Sequence, residues 1–145
     1  MMGAVRRIVV VDDNRDLLYT IRIYLTAHGH NVWTEDEGPA GVRRITAERP
    51  DIAFCDLNLP GLDGYRLART VRNNSELSEI RLIAITADSA QACSNRAMAA
   101  GFETIMVKPV PLVEMLQVVE SPRCFPNDES SLATGPSRSR FTRSQ

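Results

Sequence analysis

Long apolar runs, a secretory leader, a charge excess, paired cysteines and lysine are all scarce or missing in this chain of 145 residues. The longest apolar runs, Ile8-Val9-Val10-Val11 and Leu82-Ile83-Ala84-Ile85, are far too short to span a bilayer. Met1 to Arg7 carry neither the apolar stretch nor the cleavage site of a secretory signal. Both absences point to a cytoplasmic protein with no membrane association. The three cysteines, Cys55, Cys93 and Cys124, are odd in number and form no CxxC, which argues against a disulfide framework and against a zinc site. Net charge is −1. Residues 121–145 hold four Arg and two acids, so residues 1–120 carry 13 basic and 16 acidic groups, a net −3. A domain of that sign is a poor nucleic-acid binder. Lysine occurs once, at position 108, and the other 16 basic residues are arginine.

What remains is an ordinary globular composition, 43% hydrophobic and 24% charged. It excludes wholesale disorder, collagen-like repeats and coiled coil, and the length suits one domain with a real core. The first 120 residues alternate between two periods. Short β-branched apolar runs lie at 6–11, 31–35, 51–56, 80–85 and 103–107, and each precedes a helical pattern, at 14–28, 38–48, 63–73, 88–100 and 110–120. Leu17, Leu18, Ile21 and Leu25 set the stripe of the first helix, and Leu112, Met115, Leu116 and Val119 that of the fifth. Five strand–helix units in series predict an α/β domain with a parallel sheet and right-handed crossovers. Of the two common doubly wound orders, five strands fit 2-1-3-4-5, the flavodoxin-like order, with five flanking helices. Ser121-Pro122 stops the fifth helix, and Ser, Pro, Arg and Gly fill 121–145, which predicts a disordered tail too short to hold an output domain.

In such a sheet ligands bind beyond the carboxyl ends of the strands. The first strand ends there in Asp12-Asp13, the third in Asp56, the fourth in Thr86-Ala87 and the fifth in Lys108-Pro109. Two bare carboxylates ~4 Å apart repel by ~4 kcal/mol at an effective dielectric of 20, so the cluster needs a counter-ion. An all-carboxylate group without His or Cys favours a hard divalent cation, Mg²⁺, with room for water and a phosphate oxygen. Lys108 supplies a compact ammonium for a carboxylate or phosphate oxygen, and Thr86 a hydroxyl. Asp12-Asp13 by itself also suits a helix cap, Asp63-Gly64 a helix start, His28 and His30 surface positions flanking Gly29, and Cys55 a core filler. Val113 and Val118 stand off the single stripe that a sheet can bury, which leaves a partner face shared by the fourth helix, fifth strand and fifth helix. Trp33 lies on the second strand, away from Asp56, so bound Mg²⁺ should quench its fluorescence little.

Four motifs in order, Val10-Val11-Asp12-Asp13-Asn14, Cys55-Asp56-Leu57-Asn58-Leu59-Pro60-Gly61-Leu62-Asp63-Gly64, Ile85-Thr86-Ala87 and Val107-Lys108-Pro109, make residues 5–120 similar to the receiver domain of bacterial two-component response regulators. The stretch from Gly101-Phe102 to Pro109 looks most like receivers joined to hybrid histidine kinases. The resemblance implies a receiver domain over 1–120 in which Asp56 accepts a phosphoryl group from a histidine kinase or phosphotransfer protein. It implies Mg²⁺ held by Asp13, Asp56 and the backbone carbonyl of Asn58, with Asp12 acting through bound water. It implies Lys108, Thr86 and the Ala87 amide on the phosphoryl group, and a cis Lys108–Pro109 bond. The protein would signal by binding a downstream protein, or a second copy through the shared face, rather than by turning over a substrate. Family members often carry an aromatic switch three residues before the lysine, and here that position is Ile105. Three alternatives remain open. A haloacid-dehalogenase-like aspartyl phosphatase would need an acid where Asn58 stands. A flavin carrier would set its phosphate against the carboxylates. A degenerate receiver scaffold would not need the complete Asp/Thr/Lys set.

Overall fold

The computed structural model describes residues 4–92 and 95–121. Five parallel strands, β1 (Arg7–Val11), β2 (Asn31–Glu35), β3 (Ile52–Asp56), β4 (Arg81–Thr86) and β5 (Thr104–Val107), form one sheet in the order β2-β1-β3-β4-β5. The helices are α1 (Arg15–Ala27), α2 (Gly38–Glu48), α3 (Gly64–Arg72), α4 (Ser89–Ala92), α5 (Arg96–Ala100) and α6 (Leu112–Glu120), with a 3₁₀ turn at Ser75–Leu77. This is the doubly wound order expected from five strand–helix units. No helix among the described residues is long and apolar enough to cross a membrane.

The pleat sorts the core into two layers, because successive strand residues point to opposite faces. Val9, Val11, Ala53, Cys55, Leu82 and Ala84 face α2, α3 and α5, where Ile45, Leu67, Ala68, Val71 and Ala97 meet them. Ile8, Val10, Ile52, Phe54, Ile83 and Ile85 face α1 and α6, where Leu18, Ile21, Leu25, Met115 and Val119 meet them. Each fully buried Leu, Ile or Phe contributes about 1.5–3 kcal/mol relative to exposure. Strands β3 and β4 are buried along their whole length, whereas the edge strands β2 and β5 are half-covered.

Side-chain caps set the starts of α1 and α3. The Asn14 side chain accepts from Leu17 N–H, 3.1 Å, and Asp63 from Arg66 N–H, 2.9 Å. Three expectations need correction. The helix expected over 88–100 is described as two short pieces, Ser89–Ala92 and Arg96–Ala100; Asn95, at φ −86° and ψ 3°, caps the second with its carbonyl on Ala99 N–H, and residues 93–94 lie outside the described residues. The Asn95 side chain makes no capping hydrogen bond, so the break is a backbone feature that the alanine-rich pattern does not reveal. His30 is buried, not a surface residue: Nδ1 accepts from Arg6 N–H at 3.0 Å, which leaves the proton on Nε2 to donate to Glu120 at 3.1 Å. It thereby ties the start of β2 to the end of α6, a pairing 90 residues apart. Of the two unexplained valines, Val113 is exposed while Val118 packs in part against the α1/α6 layer. Cys93 and the 122–145 part of the tail also lie outside the described residues.

Candidate functional site

The carboxyl edge of the sheet gathers the residues that the sequence singles out. β1 runs into Asp12-Asp13 and β3 ends in Asp56; because β1 and β3 are hydrogen-bonded neighbours, the acids come together. Carboxylate oxygens of Asp12, Asp13 and Asp56 lie within 4.8 Å of one another. Asp12 is fully buried, Asp56 nearly so, and Asp13 exposed. Burial is graded in this way because Asp13 leaves the sheet toward α1 while Asp12 still accepts strand-like cover, its own N–H bonding to Glu35 O at 3.1 Å.

Lys108 reaches the cluster from the end of β5. Its Nζ lies 2.8 Å from Asp12 Oδ2 and 3.1 Å from Asp56 Oδ2. The Lys108–Pro109 bond is cis, as expected. The contact to Asp56 is a hydrogen bond. The contact to Asp12 is an ion pair with a fully buried oxygen, Asp12 Oδ2. The remaining oxygens are held by the chain: Asp12 Oδ1 accepts from Asn14 N–H and Asp56 Oδ1 from Asn58 N–H, each at 2.9 Å.

The electrostatics follow from this geometry. Burial pushes the Asp12 carboxyl above the ordinary carboxylate range, and the Asp56 charge adds to it; Lys108 and the Asn14 amide oppose without cancelling. Partial burial pulls the Lys108 ammonium down, but its contacts with Asp12 and Asp56 outweigh that and raise its pKa. One ammonium faces three carboxylates, so the pocket carries excess negative charge. A buried carboxylate whose only ionic partner is one shared ammonium, an all-oxygen donor set and uncompensated charge together fit a hard divalent cation.

Thr86 ends β4 one residue beyond Ile85, the partner of Asp56 across the sheet, and is fully buried. Its hydroxyl donates to Gln91 Oε1 at 2.6 Å and accepts from Asp88 N–H at 3.0 Å. Ala87 is exposed beside Lys108, and Asn58 is exposed on the loop after Asp56. Ile105 is half-buried and packs against the α2/α3/α5 layer. Gln91 and Tyr65 were missed from sequence. Asn58 Nδ2 also donates to Gln91 Oε1, 3.2 Å, and Gln91 Nε2 to Tyr65 Oη, 3.3 Å. Tyr65 reads as plain helix core, and a glutamine after a strand end bears no recognisable signal.

The Asp63-Gly64 pair does more than start α3. A Cβ on Gly64 would stand 2.5 Å from the Asp56 carbonyl oxygen, so the absence of a side chain lets α3 begin against the backbone of Asp56. Beside Lys108 an apolar cleft of about 450 Å³ opens between α1 and the start of α6, lined by Leu17, Ile21, Pro109, Val110 and Met115. A second cavity, about 420 Å³, lies at the opposite edge of the sheet. Two of its three arginines are engaged, Arg49 with Glu76 and Arg81 with Glu103, and it shares no residue with the acidic cluster.

Comparison with known proteins agrees with this arrangement. Over 115 residues the chain is 29% identical to protein PilH of Pseudomonas aeruginosa, covering 79% of this chain and 95% of that protein. It is 30% identical over 108 residues to the heme response regulator HssR of Staphylococcus aureus, covering 74% of this chain but 47% of HssR, so it spans about half the length of that relative. Among solved structures, the receiver domain of a sensor histidine kinase from Pseudomonas aeruginosa, crystallised with a magnesium ion coordinated in its active-site cleft, superposes with a TM-score of 0.72 at 28% identity, covering 80% of this chain and 95% of that one. Residues 8–120 match the response regulator receiver domain, and with its acids, threonine and lysine on one sheet edge the chain belongs to that family.

Proposed function

We propose that the protein accepts a phosphoryl group on Asp56 from a phosphohistidine of a histidine kinase or phosphotransfer protein, and signals through protein contacts. The observation that carries this reading is the placement of Asp56: its carboxylate sits at the sheet edge with Lys108 at 3.1 Å and two further acids beside it. In the transfer an Asp56 oxygen attacks phosphorus, the P–N bond breaks, and its electron pair returns to the imidazole, which takes up a proton; the product is an acyl phosphate. Lys108 and the Asn58 amide hold the Asp56 carboxylate in a fixed orientation for attack. Lys108 then faces the charge on the phosphoryl oxygens, the Ala87 amide donates to them, and the Thr86 hydroxyl turns to them from its present acceptor, Gln91.

Asp12, Asp13, Asp56 and the Asn58 carbonyl are the residues that would hold Mg²⁺, which when bound neutralises charge on phosphoryl oxygens. The apolar cleft beside Lys108 suits a helix of the donor protein presenting its histidine at Asp56. Exposed Met98 on α5, Val107 on β5 and Val113 on α6 suit the output partner or a second copy of the chain. The phosphatase alternative gains nothing, because Asn58 spends its side chain on Gln91 and offers no acid.

The test is incubation with acetyl phosphate and Mg²⁺ followed by intact-mass measurement. Wild type should gain one phosphoryl group, and Asp56→Asn or chelated protein none. An unmodified wild type, or an Asp56→Asn variant modified equally, would overturn the reading.

A further inference from the structure

Ile105 occupies the position where an aromatic side chain would otherwise couple the pocket to the surface, and the structure offers a different connection. The Thr86 hydroxyl has one proton, and that proton goes to Gln91 Oε1 at 2.6 Å, while its lone pairs receive Asp88 N–H at 3.0 Å. Gln91 is thus bonded to the end of β4 through Thr86, to the loop after Asp56 through Asn58 and to α3 through Tyr65. The Tyr65 ring in turn lies 3.9 Å from the guanidinium of Arg96, the first residue of α5. One amide therefore touches three elements around the acceptor, and a fourth lies one contact further.

Resting on the phosphoacceptor reading, we propose that Gln91 is a latch: it holds the Thr86 hydroxyl while Asp56 is unmodified and surrenders it when a phosphoryl group arrives. The two partners are mutually exclusive, since a single proton cannot serve Gln91 and a phosphoryl oxygen at once. Release takes the Thr86 donor off the Gln91 carbonyl and alters its hold on Asn58 and Tyr65, so occupancy of Asp56 is relayed to α3 and α5 without an aromatic rotation. Gln91 acts through Thr86 and is a positioning residue, not a catalytic one. A latch that stabilises only the unmodified state lowers the apparent affinity for a phosphoryl group, and removing it raises that affinity.

The experiment is a calorimetric titration with trifluoroberyllate, a phosphoryl mimic, in excess Mg²⁺. Four proteins are compared: wild type, Gln91→Met, Thr86→Ala and the double variant. Methionine keeps the length of glutamine and removes the acceptor. Gln91→Met should bind about fivefold tighter than wild type, the scale of one neutral hydrogen bond, and the same substitution in the Thr86→Ala background should change nothing. Equal affinities of Gln91→Met and wild type, or a gain in the Thr86→Ala background equal to that in wild type, overturns the latch. The Gln91 side-chain amide resonances give a second readout: they should move on titration in wild type and stay put in Thr86→Ala, and stationary resonances in wild type overturn the latch as well. If wild type neither binds the mimic nor takes a phosphoryl group from acetyl phosphate, the phosphoacceptor reading falls and the latch with it.

Discussion

Cys55 stands next to Asp56 in the chain, yet the pleat sends its thiol into the apolar layer under α2 and α3 rather than toward the pocket. Burial pushes the thiol up to about 12, and the Asp56 charge adds to the effect. The folded thiol therefore stays protonated at pH 8, whereas an unfolded one, with an ordinary value of 9.0, is partly ionised. The sign for stability follows: above pH 9 the unfolded chain loses this proton first, so the group weakens the fold as pH rises. Alkylation at pH 8 read by peptide mass should leave Cys55 unmodified in folded protein and modify it only in denaturant. Asp12 is the other residue whose sequence position understates its situation. The Asp12-Asp13 pair reads as two equal acids, but one is fully buried and the other exposed, because Asp12 still sits in the sheet, its N–H on Glu35 O, while Asp13 has left it.

At the scale of elements, the junctions do the positioning. α3 starts against the backbone of Asp56 because Gly64 has no side chain, and a Cβ there would also meet Leu57 Cα at 2.7 Å. Backbone atoms cannot yield as a flexible side chain would, so Gly64→Ala should destabilise the fold by about 1–3 kcal/mol. The displaced strand end should also slow labelling by acetyl phosphate. Thermal unfolding and the intact-mass assay check the two effects, and an alanine variant as stable and as fast as wild type would contradict this account. The end of α6 is fastened in a comparable way. Arg81 meets Glu103 with two hydrogen bonds, 2.9 and 2.8 Å, and donates to Val118 O, while His30 holds Glu120. These ties fix the C-terminal end of α6 and leave its Val113 exposed.

For the molecule as a whole, the acidic edge implies that metal binding and folding are linked. A cation bound only by the native state stabilises by about 2.7 kcal/mol at a hundredfold excess over its dissociation constant. Mg²⁺ should therefore raise the melting temperature of wild type and leave Asp13→Asn nearly unmoved, as calorimetry would show. Trp33 fluorescence should change little in the same titration, since the ring lies on edge strand β2 with its face to Arg7, 4.8 Å away, on the far side of β1 from β3. An equal shift in both proteins, or strong quenching, would place the ion elsewhere.

By itself the order of apolar runs and helical stripes determined the sheet, because buried parallel strands and amphipathic helices each leave a period that neighbouring residues reveal. Asp12, Asp13, Asp56, Thr86 and Lys108 were legible for the same reason, since a strand's end names its edge of a doubly wound sheet. Contacts made by irregular backbone and by residues far apart were decided only in three dimensions. His30 looked like a surface residue until Glu120 closed over it, the fourth helix looked continuous until Asn95 capped a separate piece, and Gln91 had no meaning until Thr86, Asn58 and Tyr65 converged on its amide. Periodicity records which face a residue turns to the core; it carries no record of which distant group will meet a polar side chain there.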